Sequence, residues 1–260
     1  MDLMTVLGIF FGLGAIGWEL HHSDMFKLIF NLNAIILIYG GTTGSVLLSY
    51  PWSVVKHVPK AFKWMLLPPA NPTPEALMNA LSNIASTALQ TGPESVMQYS
   101  GKVPSPLLEE ALRMMAEGLS PDAVMDKLEN DISLTRQRHV KLAALFNSAG
   151  TYSPIFGLLG TLLGVVAVLR NITDPTQMGT SMALAMTASF YGIFSANFIF
   201  LPVAVKLKHH ADEEMLSREL IARGVQSILH GDVPAVVTKK LENFLHHQMR
   251  RRDRQAAAAG

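Results

Sequence analysis

Pro154 is followed seven residues later by Thr161, and both lie in a stretch with no charged residue. Proline has no N–H to give to the carbonyl four residues back, so in a helix Pro154 releases the oxygen of Gly150. In a second charge-free stretch Pro202 releases that of Phe198 by the same rule. Seven residues make nearly two helical turns, which puts Gly157 and Thr161 on the Pro154 stripe, and Ser195 and Ala188 on the Pro202 stripe. Ser189 lies off that second stripe. Oxygens of this kind at membrane depth are tolerated where protein or water meets them, and the chemistry they can do is ion handling. A single hydroxyl can equally bond back to its own helix; the combination favours a path.

Two apolar segments carry these residues, Leu142–Leu169 and Pro175–Val205, each long enough to cross a bilayer. Two more precede them, Leu3–Trp18 and Leu28–Val55, the latter containing Asn31 and Asn33. The first is short but lacks the basic start and small-residue cleavage site of a secretory signal, so it is expected to be retained as a span. The expected fold is an all-α integral membrane protein. Four transmembrane helices accompany a helical cytoplasmic domain, formed by the loop between helices 2 and 3 and the C-terminal tail. The corresponding boundaries are 1–52 for the first two spans, 53–140 for the loop, 141–206 for the last two spans and 207–255 for the tail helices. Residues 256–260 read as linker or tag remnant.

Composition fits: 49% of the residues are hydrophobic and 16% charged, with a mean hydropathy of +0.27. The net charge of +1 hides an asymmetry. Lys56, Lys60, Lys63, Arg136, Arg138, Lys141, Lys206 and Lys208 flank the inner ends of the last three spans, which by the positive-inside rule places both termini and the long loop in the cytoplasm. Within the loop, Val54–Met65 alternates its lysines with Val55, Val58, Phe62 and Trp64. This pattern suits a helix at the lipid headgroup boundary as well as one packed on its own domain. Helical spacing continues in Thr73–Thr91, Ser105–Glu117, Pro121–Arg138, Ala211–Leu229 and Val236–Met249. The basic run Arg250–Arg254 reads as a solvated end that can also touch lipid headgroups.

Several enzyme signals fail on context. Gly12-Leu-Gly14-Ala-Ile-Gly17 matches a dinucleotide-binding pattern but sits in an apolar span with no strand before it. Close helix packing explains it better, as it explains the G-x-x-x-G pairs Gly8/Gly12, Gly40/Gly44 and Gly160/Gly164; Gly157, Gly160 and Gly164 are the expected packing face of the third span. The His21–His22, His209–His210 and His246–His247 doublets point to different sides of a helix and have no third ligand at metal spacing. With no cysteine, a thiol nucleophile and a disulfide framework are excluded. No enzyme activity, metal, cofactor or nucleic-acid partner is expected. None of the four spans contains an ionisable side chain inside it, yet a proton or sodium route needs one. The missing carboxylate must come from a partner.

The run Ser153-Pro154-Ile155-Phe156-Gly157-Leu158-Leu159-Gly160-Thr161-Leu162-Leu163-Gly164, then Asp174-Pro175, Tyr191-Gly192 and Leu201-Pro202-Val203-Ala204-Val205, resembles the MotA/PomA family of flagellar stator subunits, within the MotA/TolQ/ExbB proton channel superfamily. The resemblance covers nearly the whole chain. It implies a bacterial inner-membrane protein of which five copies ring two copies of a MotB-like single-span protein that supplies an ion-binding aspartate. It also implies that proton or sodium flow drives the rotor through the C-ring protein FliG. By position it makes Pro154 and Pro202 the prolines that couple ion passage to movement. Thr161 becomes the hydroxyl near the aspartate, with Tyr191, Ala188 and Ser189 along the path. Sodium-type members carry two threonines where this chain has Ala188-Ser189, and proton-type members small apolar residues, so both ions stay open. The family's rotor-facing arginine and glutamate align with Leu89 and Met97. Lys102, Glu109, Glu110, Arg113 or Glu117 would then meet the rotor, or the driven partner differs. An ExbB/TolQ-like energiser of another envelope machine and a passive membrane scaffold are the alternatives.

Overall fold

The computed structural model describes residues 3–23, 29–67 and 71–259, with the side chains of Leu66 and of 249–259 outside the description. Lys27, the Leu28 start of the second expected span, Pro68–Ala70 and the side chains of the Arg250–Arg254 run therefore lie outside what is described. Among the described residues the chain is helical, without a strand. Eight main helices follow in order: α1 Leu3–His22, α2 Leu32–Ser49, α3 Val58–Leu66, α4 Pro74–Thr91, α5 Pro106–Ala116, α6 Pro121–Arg170, α7 Pro175–Leu229 and α8 Pro234–Ala259. Helices α1, α2, α6 and α7 are each long and apolar enough to cross a membrane.

Local chemistry sets these limits. Asn31 caps α2, its Oδ1 accepting from the N–H groups of Asn33 (3.0 Å) and Ala34 (3.3 Å). The expected second span continued to Val55, but α2 stops at Ser49. Tyr50 is extended (φ −126°, ψ 137°), as the residue before a proline prefers to be. Asp174 caps α7 through the N–H groups of Thr176 and Gln177. Pro121–Arg138 and Leu142–Leu169 were expected as separate helices, yet α6 runs through both. Pro175–Val205 and Ala211–Leu229 likewise fuse in α7. No glycine or proline stands at 139–141 or 206–210 to interrupt either helix. The alanines of the tail, read from sequence as linker, extend α8 to Ala259, consistent with alanine's high helix propensity.

The chain divides into two compact units, 1–69 with 138–210, and 70–137 with 211–260. In the first, the segment 54–65 packs with the long apolar helices: Ala61 of α3 is fully buried in a cluster with Leu142, Phe146, Val203 and Leu207. The second unit has an aliphatic core built from α4 (Leu77, Leu81, Ile84), α5 (Leu108, Leu112), the start of α6 (Val124, Leu128), the end of α7 (Leu220, Ile221, Val225) and α8 (Val237, Leu241). Gly224 lets α7 approach the Leu81 side chain of α4.

The turn between α7 and α8 is fixed at Gly231 (φ +76°), a left-handed position that suits glycine. The next residue, Asp232, accepts hydrogen bonds from Lys240 Nζ and Ser227 Oγ. Those bonds, Lys240 first, hold the Asp232 carboxyl below the usual aspartate range. A depressed carboxyl stabilises the fold above its unfolded pKa and loses that contribution as pH falls through its folded value. The α7–α8 turn is therefore expected to lose hydrogen-exchange protection, measured against the intrinsic rate at each pH, below about pH 4, and Asp232→Asn to show the lower protection already at pH 7. Equal exchange of variant and wild type at pH 7 would contradict this.

Candidate functional site

Pro154 sits inside α6 without ending it. Gly150, whose carbonyl loses its helical donor to Pro154, lies against α7: a Cβ placed on it would be 2.7 Å from a Leu201 methyl and 3.6 Å from the Leu201 nitrogen. Leu201 directly precedes Pro202. The two proline sites, far apart in sequence, thus share one helix–helix contact.

Around Pro202 the backbone departs from what residue counting predicts. Ser195–Phe200 forms a π-helical turn, with the Leu201 N–H donating to Ala196 O, five residues back. Such turns hold more than 3.6 residues per turn and absorb a missing donor. The seven-residue step from Ser195 to Pro202 therefore falls short of two turns, and the straight stripe read from the sequence does not form. Ser195 is instead fully buried and donates to Tyr39 Oη (2.8 Å). Tyr39 belongs to a second π turn, Ile36–Gly40 within α2, so one hydrogen bond ties the two distorted turns together. Tyr39→Phe would leave the buried Ser195 hydroxyl without this partner. We expect a loss of about 1–3 kcal/mol, read as a lower thermal midpoint in detergent; an unchanged midpoint would contradict the pairing.

The other expected path residues fall as follows. Thr161 is half-buried and donates to Leu158 O of its own helix (2.7 Å), the back-bond open to any helical hydroxyl. Tyr191 donates to Ile29 O (2.9 Å) and its ring lies 6.5 Å from that of Tyr39. Ala188 is fully buried with Ala34 and Ile38, whereas Ser189 is half-buried. Ser153 and Thr42 are both buried, and neither hydroxyl has a hydrogen-bond partner among the described residues.

Glycine holds α6 and α7 together. A Cβ on Gly157 would be 3.2 Å from Ala188 O and 3.4 Å from Gly192 Cα. One on Gly160 would overlap the Ala188 methyl, and one on Gly164 the Ala185 methyl. The tightest backbone approach is at Gly192, where a Cβ would lie 2.8 Å from Ser153 O and 3.0 Å from Gly157 Cα. Spacing rules did not single out Gly192, since no glycine lies four residues from it. Tyr39 and the two π turns escaped as well; the only sequence signal near either is Pro202. Among the described residues Gly8, Gly40 and Gly44 meet nothing within 4 Å, while Gly12 faces the Phe198 ring and Gly41 that of Phe156.

In the second unit Lys102, Arg113 and Glu117 are exposed. Glu109 accepts from Ser100 Oγ (3.1 Å), and Glu110 lies 3.7 Å from Lys127. Leu89 and Met97 are 52% and 42% exposed.

The MotA/TolQ/ExbB proton channel family model matches residues 100–220. Relatives extend the match over nearly the full length. The chemotaxis protein PomA of Vibrio alginolyticus is 29% identical over 254 residues, covering 96% of this chain and 98% of PomA. Motility protein A of Bacillus subtilis is 29% identical over 246 residues, covering 94% and 91%. The chain is similar to the MotA/TolQ/ExbB proton channel family over residues 100–220 and to these relatives over nearly its whole length. The flagellar MotAB stator complex from Bacillus subtilis contains a chain that superposes with a TM-score of 0.83 at 28% identity, covering 97% of this chain and 98% of that one. A chain of C. jejuni MotAB shares the fold at TM-score 0.84 and 22% identity, covering 94% and 96%. The polar features of these long apolar helices lie inside α2, α6 and α7, at the Gly150–Leu201 contact and the Tyr39–Ser195 bond.

Proposed function

We propose that this chain is the ion-conducting stator subunit of a bacterial flagellar motor, seated in the inner membrane with both termini in the cytoplasm. One observation carries the reading. The spans hold released carbonyls, buried hydroxyls and π turns, yet α6 from Leu142 to Leu169 and α7 from Pro175 to Val205 contain no aspartate, glutamate, histidine, lysine or arginine. A route for a cation needs an acid, and a MotB-like single-span partner supplies it as one aspartate. The full-length likeness to Motility protein A and to the MotAB stator complex supports the same assembly, with five copies around two partners.

In this reading Pro154 and Pro202 are the coupling positions, because the Gly150–Leu201 contact lets a change at one bend reach the other. Thr161 faces the partner's aspartate, and Tyr191 and Ser189 continue the path. The coupling ion is the proton. Ala188 contributes a methyl, so Ser189 is the one hydroxyl of that pair, which suits a single-proton relay better than the oxygen cage that sodium prefers. The exposed Lys102, Arg113 and Glu117, with Glu109 and Glu110, meet the rotor protein FliG. A helix at Leu3–His22 that is long enough to span favours the stator over a three-span ExbB/TolQ-like energiser.

Co-expression with a MotB-like single-span protein in a stator-deleted host is the test. Swimming restored by the pair, and abolished when the partner's aspartate becomes asparagine, is the expected result. Assembly of the pair without swimming in any ion condition would move the chain to another envelope machine.

A further inference from the structure

The short helix α3 lies beside the lysine-flanked ends of the spans, and its chemistry is unexplained by ion passage. Its apolar face is seated: Ala61 is fully buried, Phe62 packs edge-on against Phe146 (5.4 Å between ring centroids), and Trp64 lies 5.7 Å from the His139 ring. The opposite face is cationic. Lys56, Lys60 and Lys63 are exposed, and Lys60 Nζ stands 4.8 Å over the Trp64 ring. Arg138, Lys141 and Lys208, in the same compact unit, are exposed too. Neither Lys60 nor Lys63 of α3, nor Lys56 just before it, nor Arg138 or Lys141, makes an ion pair among the described residues. The segments 49–67, 138–146 and 201–210 contain no aspartate or glutamate. Trp52, just before α3, is 73% exposed.

A seated amphipathic helix with an uncompensated cationic face and an exposed tryptophan, built onto membrane-spanning helices, matches the boundary of a bilayer. We propose that α3 binds the headgroups of anionic phospholipids of the surrounding leaflet. Lys56, Lys60 and Lys63 contact the phosphates, Trp52 sits at the acyl boundary, and the Lys60–Trp64 stack holds one ammonium in place. Lipid capture needs only that the four long helices span a membrane, and not that the chain conducts an ion. It can therefore fail while the stator reading stands, and the reverse.

The full chain in mild detergent is titrated with dioleoylphosphatidylglycerol, dioleoylphosphatidylcholine or inorganic phosphate, following its thermal midpoint. Phosphatidylglycerol is expected to raise the midpoint at concentrations where phosphatidylcholine and phosphate do not. The triple variant Lys56→Gln, Lys60→Gln, Lys63→Gln should need between about tenfold and a hundredfold more phosphatidylglycerol for the same rise, given the surface attraction of each cation. The triple arginine variant should respond as wild type. Lys102→Gln, in the other unit, should change nothing. Single Lys60→Gln and Lys63→Gln variants, each expected to shift the titration by about threefold to fivefold, decide the matter if the triple glutamine chain does not fold. An equal response to the two lipids, an equal response of triple variant and wild type, or a phosphate effect matching that of phosphatidylglycerol would each overturn the proposal.

Discussion

Gly192→Ala is expected to be the most damaging single-methyl change in the membrane-spanning helices. A Cβ there meets Ser153 O at 2.8 Å and Gly157 Cα at 3.0 Å. Both are backbone atoms of α6, so no side-chain rotation relieves the clash and one helix must move. Overpacking of a dense interior costs typically about 1–3 kcal/mol, and backbone against backbone belongs at the upper end. Gly179, in the same helix, meets nothing within 4 Å. Gly179→Ala should stabilise by up to about 1 kcal/mol, because alanine restricts the unfolded chain and favours helix. The pair of variants separates steric fit from helix propensity. Thermal midpoints in detergent, falling for Gly192→Ala and rising or holding for Gly179→Ala, are the expected result. A Gly192→Ala midpoint equal to wild type would show that α6 and α7 do not pack this closely.

Pro154→Ala is expected to separate stability from activity. Alanine restores an N–H to the Gly150 carbonyl, and in a helix interior it is about 3 kcal/mol more favourable than proline, so the chain should fold as well as wild type or better. Ion flux through the complex with its one-span partner should nevertheless fall by at least about tenfold. That factor corresponds to about 1.4 kcal/mol in the barrier, the size of one lost hydrogen bond. Closing the helix at Gly150 also stiffens the contact with Leu201, through which the Pro154 and Pro202 bends meet. A stable variant with undiminished flux would remove Pro154 from the mechanism.

Much of the fold is legible in the sequence because it follows from local rules. Long charge-free stretches announce α1, α2, α6 and α7. Asn31 and Asp174 cap helices where polar residues precede apolar runs. What the sequence does not announce is tertiary. The π turns at Ile36–Gly40 and Ser195–Phe200 break the seven-residue arithmetic that places Ser195 on the Pro202 stripe. Likewise Gly192 matters because of the α6 backbone opposite it, which no spacing within α7 reveals. Tyr39 reads as one more aromatic in an apolar run until Ser195 is seen to donate to it. Gly40 and Gly44 repeat the packing pattern and meet nothing within 4 Å among the described residues.

The central claim is that these spans carry a cation only when a partner brings the acid they lack. Its most direct test is flux into proteoliposomes holding this chain with the proposed MotB-like one-span partner, under a proton gradient and separately under a sodium gradient. The account predicts proton flux that vanishes when the partner's aspartate becomes asparagine and falls in Thr161→Val. An intact complex that passes neither ion would contradict it and leave the chain a membrane scaffold.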